Sequence, residues 1–288
     1  MGIAHVCSYG EILKKSLRSV LKSHKTIAVP GAINAATALL IEKAGFPAVY
    51  ISGAGISNGL AGLPDLELIT RKEMIWASSY IAKAVKIPAL ADADTGYGNP
   101  SEVAKTVREF ESAGVSAIHL EDQFSPKRCG HLEGKKLITK DQMCAKIRAA
   151  VKARKSRDFM IFARTDARGV ESFGQAVDRA QAYVEAGADG VFPEALLSLQ
   201  EFAVFRKMVR FPLIANMTEF GKTPYISVRQ FEKLKYNIVL FPLSAFRVMM
   251  KQAEEFLAHL AKTGSQKKFL PKMQTRSELY KLLRYDEY

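Results

Sequence analysis

Short apolar runs rich in β-branched residues recur along the chain, and each closes on a polar or charged side chain. They stand at TIAVP (26–30), AVYIS (48–52), PALADAD (88–94), AIHLED (117–122), FMIFARTD (159–166), GVFPE (190–194), PLIANMT (212–218) and IVLFPLS (238–244). Between them lie stretches of helical periodicity such as SEVAKTVREFESAG and FGQAVDRAQAYVEAG. A strand apolar on both faces belongs to a parallel sheet covered by helices, so the alternation predicts a series of βα units. The joints between units repeat as well: AGFPAVYIS (44–52), AGVSAIHLE (113–121) and AGADGVFPE (186–194). In each, a helix is expected to end on a glycine (Gly45, Gly114, Gly187) in the left-handed position that closes it. Asn99-Pro100 with Glu102 reads as an N-cap, a first-turn proline and an acid at the third position. Thr275 to Glu278 reads as a capping box opening a final helix.

Eight such strands predict a (β/α)8 barrel occupying 1–288 as one domain with a C-terminal helical extension. The competing open doubly wound sheet would place GxGxxG after the first strand, and none is there. The predicted strands end on Ser52, Asp92, Asp94, Glu121, Arg164, Glu194, Asn216 and Ser244. In a barrel these ends share one rim, where the chemistry of the fold is carried.

Composition narrows the class. The 288 residues are 48% hydrophobic, and no apolar run approaches the ~20 residues that span a bilayer. The N-terminus lacks the basic-then-apolar order of a signal peptide, so a cytoplasmic enzyme without a membrane partner is expected. The net charge of +13 is spread over many segments, and its densest run, 152–157, falls at a helix end where cations suit the helix dipole. With no nucleic-acid-binding motif, an anionic small substrate is the better account of that charge. Cys7, Cys129 and Cys144 are odd in number and lack CxxC spacing, which argues against a disulfide framework and a zinc site.

The rim residues suggest chemistry. Asp92 and Asp94 are two apart on a strand, so both carboxylates are expected on one side. Either a cation such as Mg²⁺ joins them, or they cap the amides of the following TGYG loop. Glu121 and Asp122 on the next strand tilt the reading toward a metal. Arg164, Arg247 and Arg276 suit a substrate with several carboxylates, since the guanidinium fork matches them bidentately. Asn216 and Thr218 add neutral donors, while His119 and His131 lack a second histidine at ligand spacing. Cys129 sits in the polar segment SPKRCGHLEGKK, which reads as a lid over the rim. Lys127 and Arg128 would lower its thiol pKa and make a nucleophile; nearby carboxylates would raise it and make a general acid. The sequence leaves both open.

With KRCGH following HLEDQ and DADTGYG upstream, the chain resembles the isocitrate lyase/phosphoenolpyruvate mutase superfamily. The similarity runs from AINAATALL and YISGAG through GLPDL, ARTDA, FPEA, NMTEFG and LFPLSAFR to MQTRSELY, nearly the whole chain. It points to the branch that cleaves 2-methylisocitrate to pyruvate and succinate in propionate breakdown. The resemblance implies Mg²⁺ at Asp92 and Asp94, with Glu121 and Asp65 in its outer shell. It implies substrate contacts at Ser52, Gly53, Ala54, Cys129, Gly130, Arg164, Glu194, Asn216, Met217, Thr218, Arg247 and Arg276. Cys129 would protonate the succinate carbanion, and Tyr50 is the candidate base. Phe192 and Leu240 are expected to flank the substrate methyl group. A homotetramer that exchanges its last helix between subunits is also implied. Ala54 departs from the family's SGGG run, and NMT replaces NIT. An isocitrate lyase would carry KKCGH in a longer chain, related mutases and decarboxylases lack the lid cysteine, and a non-catalytic binding barrel would have lost rim residues that are all present here.

Overall fold

A computed structural model describes residues 15–287; Cys7 lies outside them. Eight parallel strands form one sheet in the order β6-β5-β4-β3-β2-β1-β8-β7. They are β1 (Ile27–Ala32), β2 (Val49–Ile51), β3 (Ala89–Asp92), β4 (Ala117–Glu121), β5 (Met160–Thr165), β6 (Gly190–Pro193), β7 (Ile214–Asn216) and β8 (Ile238–Phe241). A parallel bridge between Val191 and Leu213 joins β6 to β7 and closes the sheet on itself. The eight predicted runs are therefore the eight strands of an α/β barrel.

Helices α1 (Leu17–Ser23), α2 (Ala35–Lys43), α3 (Gly53–Ile56), α4 (Arg71–Ala84), α5 (Pro100–Ser112) and α6 (Lys140–Ala153) cover the first half of the chain. They are followed by α7 (Ala167–Val170), α8 (Phe173–Glu185), α9 (Leu199–Met208), α10 (Val228–Lys233), α11 (Ser244–Thr263) and α12 (Arg276–Leu282). The glycine joints behave as expected: Gly45, Gly114 and Gly187 have φ of 85°, 85° and 108°, values that cost a Cβ-bearing residue strain. Asn99 caps α5 by accepting from the amides of Ser101 and Glu102, and Thr275 with Glu278 closes a capping box on α12.

The strand period of two sorts side chains between two cores. Ile27, Val29, Leu90, Ala117, Met160, Phe162, Phe192, Ile214, Ile238 and Leu240 point inward and fill the barrel, which Leu17 and Val20 of α1 join. Val49, Ile51, Ile118, Leu120 and Ile161 point outward against α4, α5 and α6. The barrel is thus packed, and the same inward alternation, continued to the strand ends, delivers polar side chains to one mouth. Tyr50 and Ser52, Asp92, Glu121, Arg164, Glu194 and Asn216 each follow an inward apolar residue at a spacing of two or four. The exception among the helices is α11: twenty residues long, it has none buried.

Candidate active site

The mouth encloses a cavity of about 60 Å³ lined by Tyr50, Ser52, Ala54, Asp65, Asp92, Arg164, Phe192, Glu194, Asn216, Thr218 and Leu240, with Cys129, Gly130 and His131 on its lid side. The segment carrying Cys129 stands over this cavity as a lid.

Arg164 is the hub of the cationic wall. Its Nε lies 3.0 Å from Asp166 Oδ2 and 3.2 Å from Glu121 Oε2, while Nη2 lies 3.4 Å from Glu194 Oε2. The guanidinium stands 5.3 Å above the Phe192 ring, so its plane is fixed by both charge and stacking. Burial alone would raise the Glu194 pKa, but Arg164, then His131 and Lys135, hold its carboxyl well below the usual carboxylate range. Asn216 donates Nδ2–H to Glu194 Oε2 at 3.1 Å. His131 Nδ1 accepts the Lys222 amide at 3.0 Å, and its Nε2 stands 3.1 Å from Glu194 Oε1. His131 therefore ties the lid to the barrel, a part its lone position in the sequence did not reveal.

On the acidic side, Asp92 accepts the amide of Asp94 itself at 3.0 Å, and the Gly96 amide of the following loop goes to Ala93 O instead of to either carboxylate. Asp94 itself adopts φ +45°, which ends the strand alternation, and its carboxylate accepts from Tyr97 OH at 3.1 Å. Its Oδ1 meets Lys127 Nζ at 3.0 Å, and the same ammonium donates to Asp65. Of the two expected ligands, Asp92 lines the cavity and Asp94 pairs with Lys127 of the lid segment. Burial works against the Lys127 ammonium, but Asp94, Asp65 and Glu121 outweigh it and hold the pKa well above the ordinary lysine value.

Glu121 is the conspicuous group. Both its carboxylate oxygens are buried without a hydrogen-bond donor, and burial pushes its pKa well up against the opposing pull of Arg164 and Lys127. Among the described residues, no three His, Cys, Asp or Glu side chains converge as a complete metal cage. Mg²⁺ keeps several waters and takes only one or two carboxylates directly, so it does not need such a cage. Asp92, with Asp65 and the undonated Glu121 behind it, therefore fits such an ion.

Cys129 is half-buried, and its flanking cations are directed elsewhere: Lys127 to Asp65 and Asp94, Arg128 to solvent. Burial, the largest influence, raises the thiol pKa above its ordinary value, against the opposing His131 amide. Burial thus favours the protonated thiol, the form a general acid needs. Gly130 comes so close to the rim that a Cβ there would collide with the Arg164 guanidinium and the Glu194 side chain. Gly53 is equally tight, since its Cβ would lie 2.8 Å from Asp92 Oδ2. Tyr50 OH stands 2.9 Å from His119 Nε2 and 3.5 Å from Asp92 Oδ2. Burial, then Asp92, raise its pKa well above that of a free phenol.

Four expected contacts fall outside the cavity lining: Gly53, packed against Asp92, and three others. Met217 follows inward-facing Asn216 and so points outward, its thioether accepting the Ile226 amide. Arg247 is exposed, 3.5 Å from Glu219 and over the Phe220 ring. Arg276 is exposed at the start of α12, which packs beside α2.

Comparison with known proteins agrees with this geometry. The phosphoenolpyruvate phosphomutase family model matches residues 17–261. The chain is 53% identical over 272 residues to the 2-methylisocitrate lyase of Aeropyrum pernix, covering 94% of this chain and 87% of that one. It is 42% identical over 275 residues to the 2-methylisocitrate lyase of Escherichia coli, covering 95% and 93%. Among solved structures, a phosphonopyruvate hydrolase in complex with oxalate and Mg²⁺ superposes with a TM-score of 0.84 at 30% identity, covering 94% of each chain. Among the described residues no helix is long and apolar enough to cross a membrane. With the match spanning the whole barrel and the rim chemistry in place, the chain belongs to the phosphoenolpyruvate mutase/isocitrate lyase family.

Proposed function

We propose that the protein cleaves 2-methylisocitrate into pyruvate and succinate. The observation that carries this reading is a half-buried thiol, Cys129, held over a cavity whose wall combines Arg164, Asn216 and Thr218 with Asp92. The names of the relatives at 53% and 42% identity support the choice of substrate.

In this reaction the tertiary hydroxyl of the substrate gives its proton to the Tyr50 oxygen as that phenol passes its own to His119 Nε2, 2.9 Å away, and the hydroxyl-bearing carbon becomes the ketone of pyruvate. The adjacent C–C bond breaks, and its electron pair stays on the succinate carbon. Arg164 receives a substrate carboxylate, its fork already aligned by Asp166, Glu121 and Glu194. Asn216 and Thr218 supply neutral hydrogen bonds on the same wall. Cys129 delivers the proton that quenches the carbanion, and the closed lid keeps water from doing so first. Tyr50 orients Asp92 by hydrogen bonding. Asp92 and Asp94, backed by Asp65 and Glu121, would hold Mg²⁺, which when bound supplies Lewis-acid stabilisation of negative charge on oxygen. Phe192 and Leu240 line the cavity and form the apolar place for the methyl group.

One barrel domain with a C-terminal helical extension would assemble as a homotetramer. The solvent-facing α11, with Met250 at 54% and Leu257 at 58% exposure, supports an exchange of terminal helices between subunits.

The test is direct: purified protein, 2-methylisocitrate and Mg²⁺, with pyruvate measured over time. Pyruvate release that EDTA stops and Mg²⁺ restores is expected, and Asp92→Ala should abolish it while leaving the fold intact. Isocitrate should react about ten- to a hundredfold more slowly, since one methyl in an apolar pocket is worth ~1–3 kcal/mol. Absence of pyruvate, or turnover indifferent to both EDTA and Asp92→Ala, would overturn the reading.

A further inference from the structure

The cavity lining accounts for the thiol but not for what holds it. Cys129 lies in a polar segment beside a glycine, and its neighbours Phe124 and Leu132 are largely exposed, at 59% and 58%. A general acid has to sit within hydrogen-bond reach of the atom it protonates, and an error of about 1 Å can cost ~10²-fold in rate. Something has to fix this backbone.

Two side chains outside the cavity lining do so. Gln123, 1% exposed, directs its whole carboxamide at the backbone of Arg128, the residue immediately before the thiol. Its Nε2 donates to Arg128 O at 2.9 Å, and its Oε1 accepts from the Arg128 N–H at 2.9 Å. The amide thus imitates a neighbouring strand for a single residue. On the other side of the thiol, Lys135 Nζ donates to the carbonyl of Gly130 and, at 2.9 Å, to Asp166 Oδ1. The Lys135 side chain is 2% exposed and Asp166 is fully buried. Asp166 is in turn anchored to the barrel: its amide donates to Asp122 Oδ1 at 3.0 Å, and Arg164 Nε donates to its Oδ2 at 3.0 Å. Burying an ammonium and a carboxamide costs several kcal/mol unless each finds partners. Here those partners are the peptide groups flanking Cys129.

We propose that Gln123 and Lys135 are positioning residues for Cys129, clamping the peptides on either side of it so that the thiol is presented at a fixed point over the cavity. The catalytic consequence rests on the reading of Cys129 as proton donor; the clamp itself does not.

Gln123→Leu removes both bonds to Arg128, whereas Gln123→Glu keeps the acceptor for its N–H and loses the donor to its carbonyl. Lys135→Met releases the other side. Each variant is assayed for kcat and KM with 2-methylisocitrate, for melting temperature, and for iodoacetamide labelling of Cys129 by peptide mass spectrometry with and without succinate. Gln123→Leu and Lys135→Met should lower kcat about ten- to a hundredfold with KM within threefold. Gln123→Glu should fall between Gln123→Leu and wild type. Labelling of Cys129 should quicken at least fivefold in Gln123→Leu, and succinate should no longer slow it. Wild-type kcat and labelling in Gln123→Leu overturn the proposal, as does a lowered melting temperature with kcat retained, which is what a purely structural loop bond gives. If Cys129→Ser turns over normally while Gln123→Leu still speeds labelling, the proton-donor reading fails and the clamp stands.

Discussion

Burial pushes the Cys129 thiol toward its protonated form, with Asp65 and Glu194 adding to the effect and the His131 amide and Arg164 opposing it. Because the neutral form is the one favoured, ionisation has to wait for a higher pH than in a free thiol. The rate of iodoacetamide labelling of Cys129 should therefore rise with pH to a midpoint above that of free cysteine, measured by following the labelled peptide. A midpoint below that of free cysteine would mean the lysine and arginine beside it dominate. For Cys129→Ser the hydroxyl holds its proton far more tightly. General acid catalysis contributes ~10²–10⁴-fold, so kcat should drop at least a hundredfold. Affinity for succinate plus pyruvate should change little, because Arg164 is untouched. A serine variant within threefold of wild-type kcat would leave the thiol a packing role only. At this scale the sequence was legible wherever charge marks function. Arg164, Glu194, Asn216, Asp92 and Cys129 could all be named before the structure, because polar groups at apolar strand ends stand out. Gln123 could not: a neutral amide has no charge signature, and its value lies in a partner five residues on. Tyr50 and His131 were visible as residue types, but their burial and partners depend on the fold.

The strands were legible because period-two alternation, glycine joints and terminal polar residues agreed in each unit. The helix starts were equally plain where a capping side chain precedes the apolar pattern. Asn99 satisfies two otherwise unpaired amides at the head of α5. Asn99→Ala should cost about 1 kcal/mol and lower the melting temperature by about 2 °C, with kcat unchanged, since α5 packs on the far side of β4 from the cavity. Calorimetry with a parallel activity assay checks this; an unaltered melting temperature would show the cap contributes nothing. Where local pattern failed, a backbone turn was responsible. Asp94 was assigned to the cavity by strand alternation, yet the chain leaves the extended conformation at that residue. Met217 went the other way, since continued alternation turns it out of the site. Arg247 and Arg276 depended on the course of the chain beyond β8, which no local spacing records.

For the whole molecule, α11 is the element the barrel does not account for. Met250 and Leu257 are seven residues apart, hence on one helical face, and both are more than half exposed. Sedimentation should give a mass several times that of one chain, and the double change Met250→Glu with Leu257→Glu should lower it while circular dichroism keeps its helical signal. An unchanged mass would place the contact between subunits elsewhere. The surplus of +13 charges belongs to this scale too. It bears on the ammonium of Lys127, which sits between Asp65 and Asp94 in this closed arrangement. A lid that lifted would withdraw that charge and leave the mouth at its most acidic as a polycarboxylate passed it. Traffic through the gate then depends on a field set by the rest of the surface, which gathers anions toward an entrance that locally repels them. Capture becomes a property of the entire chain, sensitive to dissolved salt, whereas the buried pairs that hold the lid shut are shielded from it. Entry and closure therefore answer to different forces, and ionic strength can slow one without loosening the other.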